Sequence, residues 1–104
     1  MPRNTPPTFP AAARQLVALG ERLRAARRRR RLTQAVVAAR VGVSKQTLAK
    51  LESGNPATSL ATALRVLAVL GLAQDIDRLA ANDEIGRRLQ DIEQPGPPRG
   101  RAAP

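Results

Sequence analysis

Cysteine, histidine, tyrosine and tryptophan are missing from this 104-residue chain, and phenylalanine and methionine occur once each. Without Cys there is no disulfide framework and no thiolate metal site. Without His the usual general base and the commonest metal ligand are gone. No P-loop and no evident pair of catalytic carboxylates appears, and the core is too small for a deep pocket. An enzyme, a cofactor and a metal site are therefore not expected. No window nears the run of about eighteen apolar residues that spans a membrane. The opening MPRNTPPTFP holds four prolines and no apolar run, unlike a signal peptide. A cytoplasmic protein, bacterial and nucleoid-associated, with no membrane contact is the expectation.

The hydrophobic residues make up 42% and are nearly all Ala, Leu and Val. Such a core suits short packed helices better than a sheet. Charge is one-sided, at +10 overall, and unevenly spread. Between Arg14 and Arg31 eight Arg face only Glu21, whereas from Asn55 onward six basic residues meet six acids. A positive field packed into the front half is the footprint of a polyanion partner.

The chain divides into a Pro-rich arm (residues 1–10), a helical domain (11–82), a C-terminal helix (83–93) and a basic Pro-rich tail (94–104) expected to be disordered. Leu16, Leu19, Leu23 and Ala26 fall at helical spacing and predict a helix from about Ala11 to Arg29. Thr33 reads as the N-cap of a short helix, Gln34 to Arg40, with Val37, Ala38 and Val41 inward. Gly42 breaks it, and Ser44 caps a third helix from Lys45 to about Ser53. Gly54 suits the C′ position, with Pro56 as a stop. A fourth helix starts near Thr58 or Ser59, carries Leu60, Leu64, Leu67 and Ala68 as its core face, and ends at Gly71. A fifth, Ala73 to Ala81, and a sixth, Glu84 to about Ile92 capped by Asp83, complete the pattern. No alternating run or hairpin signal argues for strands.

The informative stretch is LTQAVVAARVGVSKQTLAKLESG, Leu32 to Gly54. It holds two short helices across a tight Gly42 turn, with small Ala38 admitting the second helix close by. Val37, Val41, Val43, Leu48 and Leu51 form its inner face. Lys45, Gln46, Thr47, Ala49 and Lys50 are left outward, near a helix N-terminus. That is what base readout in a major groove requires.

Leu23 and Arg27, Leu32-Thr33-Gln34, Ala38, Val41-Gly42-Val43-Ser44, Thr47-Leu48 and Leu51-Glu52-Ser53-Gly54 together resemble the lambdoid-phage-repressor (XRE) class of helix-turn-helix proteins, over roughly Gly20 to Leu72. The resemblance implies an all-α, lambda-repressor-like domain of about five helices with a short additional C-terminal helix. It implies base contacts from Lys45, Gln46, Thr47 and Lys50, and phosphate contacts from Arg27, Gln34 and Ser44. The five-Arg run adds Arg28 and Arg29 to the phosphate set and blurs which Arg does which task. It further implies that Arg27 pairs with Glu52, with Ala38, Gly42, Leu48, Leu51 and Gly54 as structural positions.

The layout from LVALGERLRAARRRRRLTQ through NPATSLATALRVLAVLGLAQDIDRLA is similar to HipB-type antitoxins, which partner HipA-type kinase toxins and repress their own operon. Double-stranded DNA with a pseudo-palindromic operator, a second copy of the chain and a HipA-like kinase are the partners this implies. The homodimer also follows from the few base pairs one such domain covers and from the apolar surplus in Ile76, Leu79, Ile85, Leu89 and Ile92, which places the dimer or partner contact in the C-terminal half, including helix 83–93. A stand-alone XRE-type regulator and a helical protein-interaction module without specific DNA binding are the alternatives.

Overall fold

The computed structural model describes residues 7–93. The tail from 94 onward and most of the N-terminal arm lie outside them. The described residues form α1 (Pro10–Arg29), α2 (Gln34–Val41), α3 (Lys45–Glu52), α4 (Leu60–Val69), a 3-10 helix (Ala73–Arg78) and α5 (Glu84–Glu93), with no strand among them. The arrangement is an all-α, lambda-repressor-like fold. No described helix is long and apolar enough to cross a membrane.

Local chemistry sets the boundaries. Pro10 opens α1, where a missing N–H is harmless and φ is already helical. Side-chain oxygens of Thr33, Ser44 and Ser59 accept the Val36, Thr47 and Thr62 N–H groups at 3.0–3.1 Å, capping α2, α3 and α4. Asp83 does the same for α5 by accepting from Gly86. The α3 C-terminus closes as a Schellman motif, with Asn55 N–H donating to Lys50 O and Gly54 N–H to Leu51 O. The same motif ends α1, but its left-handed residue is Arg31, at φ 56°.

The core is aliphatic: Leu23 and Ala26 of α1, Val37, Ala38 and Val41 of α2, Leu48 and Leu51 of α3, and Ala63, Val66 and Leu70 at α4. Leu19, Leu32, Val43 and Leu67 close its edges. Phe9, just before α1, is exposed.

Two expectations are corrected. The buried stripe of α4 is Thr62, Ala63, Val66 and Leu70, whereas Leu60 is 66% exposed, Ala68 is exposed, and Leu64 and Leu67 are half-buried. This helix is apolar on more than one side, so periodicity does not rank its stripes. Packing against α2 selects the stripe carrying small Ala63, which lets the backbones approach. The second correction concerns Ala73–Arg78, which winds as a 3-10 helix and stops short of Ala81. Within it only Ile76 is apolar enough to bury, so there is little surface for a longer α-helix to cover.

Candidate nucleic-acid interface

Helices α2 and α3 meet across Gly42, whose φ of 87° turns the chain. Gly42 and Val43 N–H groups both donate to Ala38 O, satisfying the end of α2. Helix α3 then lies with Leu48, Leu51 and Glu52 buried and Lys45, Gln46 and Lys50 exposed. Thr47 is half-buried, and its hydroxyl is hydrogen-bonded to that of Ser44 at 2.9 Å, so its methyl is the part left for apolar contact.

Behind α3 a buried carboxylate ties three helices together. Glu52 accepts from Arg27 Nε at 2.6 Å and Arg27 Nη2 at 2.9 Å, a bidentate pair. It also accepts from Gln34 Nε2 at 3.0 Å and Arg24 Nε at 3.5 Å. Arg27 Nη1 donates to Leu32 O at 2.9 Å, which fixes the α1–α2 turn to the same group. The node thus joins α1, the start of α2 and the end of α3.

Burial pushes the Glu52 carboxyl up, but hydrogen bonds from Arg27, Gln34 and Arg24, with the Arg27 charge, outweigh it and hold the group below the usual range. Its folded value lies under the unfolded one. The stabilisation is therefore complete above about pH 4.3 and is lost as pH falls through the folded value. The melting temperature is expected to be flat from neutrality to about pH 5 and to drop below it. Glu52→Gln should remove much of that acid limb in a pH-resolved melting series.

The node decides which cations face outward. Arg27 is 7% exposed and donates to Glu52 and to Leu32 O, so most of its guanidinium is engaged within the fold. Arg24, Arg28 and Arg31 line a groove of about 840 Å³ with Gln34 and Lys45, and Arg27 and Leu32 border it from within. Thr33 and Ala35 complete its wall, so the N-terminus of α2 borders the groove. Gln34 uses one amide N–H on Glu52, and an amide carries a second. Lys45, expected as a base contact, sits on this groove beside the arginines. Ser44 uses its hydroxyl to cap α3, and it is exposed.

Arg29 is placed elsewhere. Successive helical residues turn by about 100°, so Arg24 and Arg28 share one stripe while Arg22 and Arg29 lie on the far side of α1. There Arg22 and Arg29 border Leu67, Leu72 and Asp75 rather than the recognition helix. On the other flank of α3, Thr47 and Lys50 face Asn55, Thr58 and Ser59 across a groove of about 360 Å³. Reading the five-Arg run as a block left out Arg24, which lines the same groove, and did not single out Arg31. The i, i+4, i+7 spacing of Arg24, Arg28 and Arg31 was the available signal.

One further position escaped the sequence reading. Gly20 is buried, and a Cβ there would lie 2.4 Å from Glu52 O and 2.8 Å from Leu51 O. Helix α1 therefore passes backbone-on-backbone over the end of α3. Gly54 makes the reciprocal contact at φ 82°, where a Cβ would meet Val17 Cα at 2.6 Å.

Comparison with known proteins agrees with this geometry. Residues 18–80 match the family described as Helix-turn-helix domain, more than half of the chain. Neither a curated protein nor a solved structure gives a significant match. Two capped helices across a glycine turn, an exposed polar helix and a cationic groove beside it all fall within the matched span. The chain belongs to the helix-turn-helix domain family and is a DNA-binding regulator.

Proposed function

We propose that the chain is a sequence-specific transcriptional repressor that binds a pseudo-palindromic operator as a homodimer, with α3 in the major groove. One observation carries this reading: Gln46 and Lys50 stand exposed on α3 while Arg24, Arg28, Arg31 and Lys45 line the adjoining groove. Cations and helix N-terminal N–H groups grip the sugar-phosphate chain and fix register; amide and ammonium ends read base edges. In this reading Gln46 pairs with adenine, Lys50 donates to guanine, and the Thr47 methyl meets thymine. Gln34, Ser44 and Lys45 belong to the grip.

The similarity to HipB-type antitoxins supports a finer assignment, in which the repressor is the antitoxin of a HipA-type kinase and controls its own operon. A kinase-like protein retained by the tagged chain from its native host supports that pairing. A stand-alone regulator binds the same operator with no such partner.

Fluorescence anisotropy on duplex DNA at several salt concentrations tests the interface. Affinity is expected to fall steeply with salt, as phosphate neutralisation requires. Gln46→Ala or Lys50→Ala should each lose about 1–3 kcal/mol at one base position and leave random DNA little affected. Arg28→Ala should weaken cognate and random duplexes alike and flatten the salt slope by about one. Equal effects from both classes of variant, or no salt dependence, would remove the reading and favour a protein-interaction module.

A further inference from the structure

Helix α5 is ten residues long and buries none of them. Ile85, Leu89 and Ile92 recur at helical spacing and are 71%, 56% and 72% exposed, forming one apolar face. A helix this short is marginal in water unless such a face is covered. Across the molecule, Arg22 and Arg29 play no part in the DNA-facing groove. They flank a separate groove of about 410 Å³ between α1 and α4, floored by Leu19, Leu67 and Leu72, with Asp75 on the opposite rim.

The two surfaces match in both hydrophobicity and charge. Around α5 the residue bordering the apolar face on one side is Glu93, and on the other it is Arg88. The groove offers Arg22 and Arg29 on the α1 rim and Asp75 on the other. One orientation of the helix sets Glu93 against the arginines and Arg88 against Asp75, with Ile85, Leu89 and Ile92 on the leucine floor. This is helix-in-groove recognition by i, i+4, i+7 anchors.

We propose that the α1–α4 groove receives helix α5 of a second copy of this chain, reciprocally across a two-fold axis. The chain's own α5 buries none of its residues, and a second copy supplies an identical helix of the right charge pattern. The proposal rests on the homodimer reading above and names the surface that builds it. It also explains why the arginines of α1 fall on two faces: one set meets DNA, the other a partner helix.

Sedimentation equilibrium of the full chain, across a wide concentration range, tests this. The wild type is expected to be dimeric at high concentration. Arg22→Glu with Arg29→Glu should weaken the dimer about tenfold or more, since like charges then face each other across the interface. Adding Glu93→Arg to that variant should recover much of the loss. Leu89→Asp should abolish the dimer. A dimer lost with Leu89→Asp but indifferent to Arg22 and Arg29 overturns the groove assignment and leaves the homodimer reading intact. A chain that stays monomeric throughout, alone and on operator DNA, overturns both. Charge reversals that expose α5 to protease without changing mass would place the chain's own helix in the groove and refute the exchange.

Discussion

Replacing Glu52 with alanine is expected to destabilise the fold by about 3–5 kcal/mol, because it leaves a buried guanidinium without its counter-charge. The Glu52 side chain is 1% exposed and that of Arg27 is 9% exposed, so solvent cannot take over. Small domains of this kind are stable by about 5–15 kcal/mol, so the loss is a large share of the whole. Arg27→Met should be similarly damaging, since it abandons a carboxylate that burial alone would push toward neutrality. The double replacement Arg27→Met with Glu52→Leu should be more stable than either single variant, because the desolvation cost of both charges disappears together. Urea unfolding of wild type, Arg27→Met, Glu52→Leu and the double variant gives the coupling energy directly. Additive losses would mean that the carboxylate and guanidinium do not act as a unit. The double variant should still bind DNA more weakly than wild type. Gln34 and Arg24 also hold onto Glu52, and their freedom would loosen the grip groove.

The second large effect is expected at Gly20. A glycine inside a helix is ordinarily a weak point, and alanine would improve it by roughly 0.5–1 kcal/mol. Here the sign reverses. The new Cβ would stand 2.4 Å from Glu52 O and 2.7 Å from Glu52 C, which are backbone atoms of a helix end and cannot rotate away. Relief requires α1 and α3 to separate. The net loss is expected to reach about 2 kcal/mol or more, at the upper end of overpacking costs. Separation would also stretch the Arg27–Glu52 pair and tilt α3, so operator discrimination should fall together with the melting temperature. Gly54→Ala meets the same helix pair from the other side, with the left-handed φ as an added penalty. Stability equal to or above wild type in Gly20→Ala would show that the helices separate without cost.

Both effects concern the seam between α1 and α3, and that seam marks how far the sequence could be read. The capped helices, the Gly42 turn, the inward positions of Val37, Ala38, Leu48 and Leu51, and the exposed residues of α3 were all legible. Each depends on a few neighbours along the chain: a hydroxyl three residues before an N–H, a left-handed glycine, or a period of 3.6 residues. The pairing of Arg27 with Glu52 was reachable only through family resemblance, since nothing local joins residues 25 apart.

Which stripe α4 buries, and where each arginine of α1 ends up, belonged to the tertiary structure. The sequence of α4 carries apolar residues on several sides, and only contact with α2 chose Ala63 and Val66 over Leu60 and Ala68. The Arg run looks uniform on paper, yet α1 docks with Arg27 inward, Arg24 and Arg28 toward α2 and α3, and Arg22 and Arg29 away from them. The reason is physical. Caps, turns and periodicity are settled by energies within one or two turns of chain. The rotation of one helix against another is set by close packing between residues distant in sequence, which the order of residues does not display.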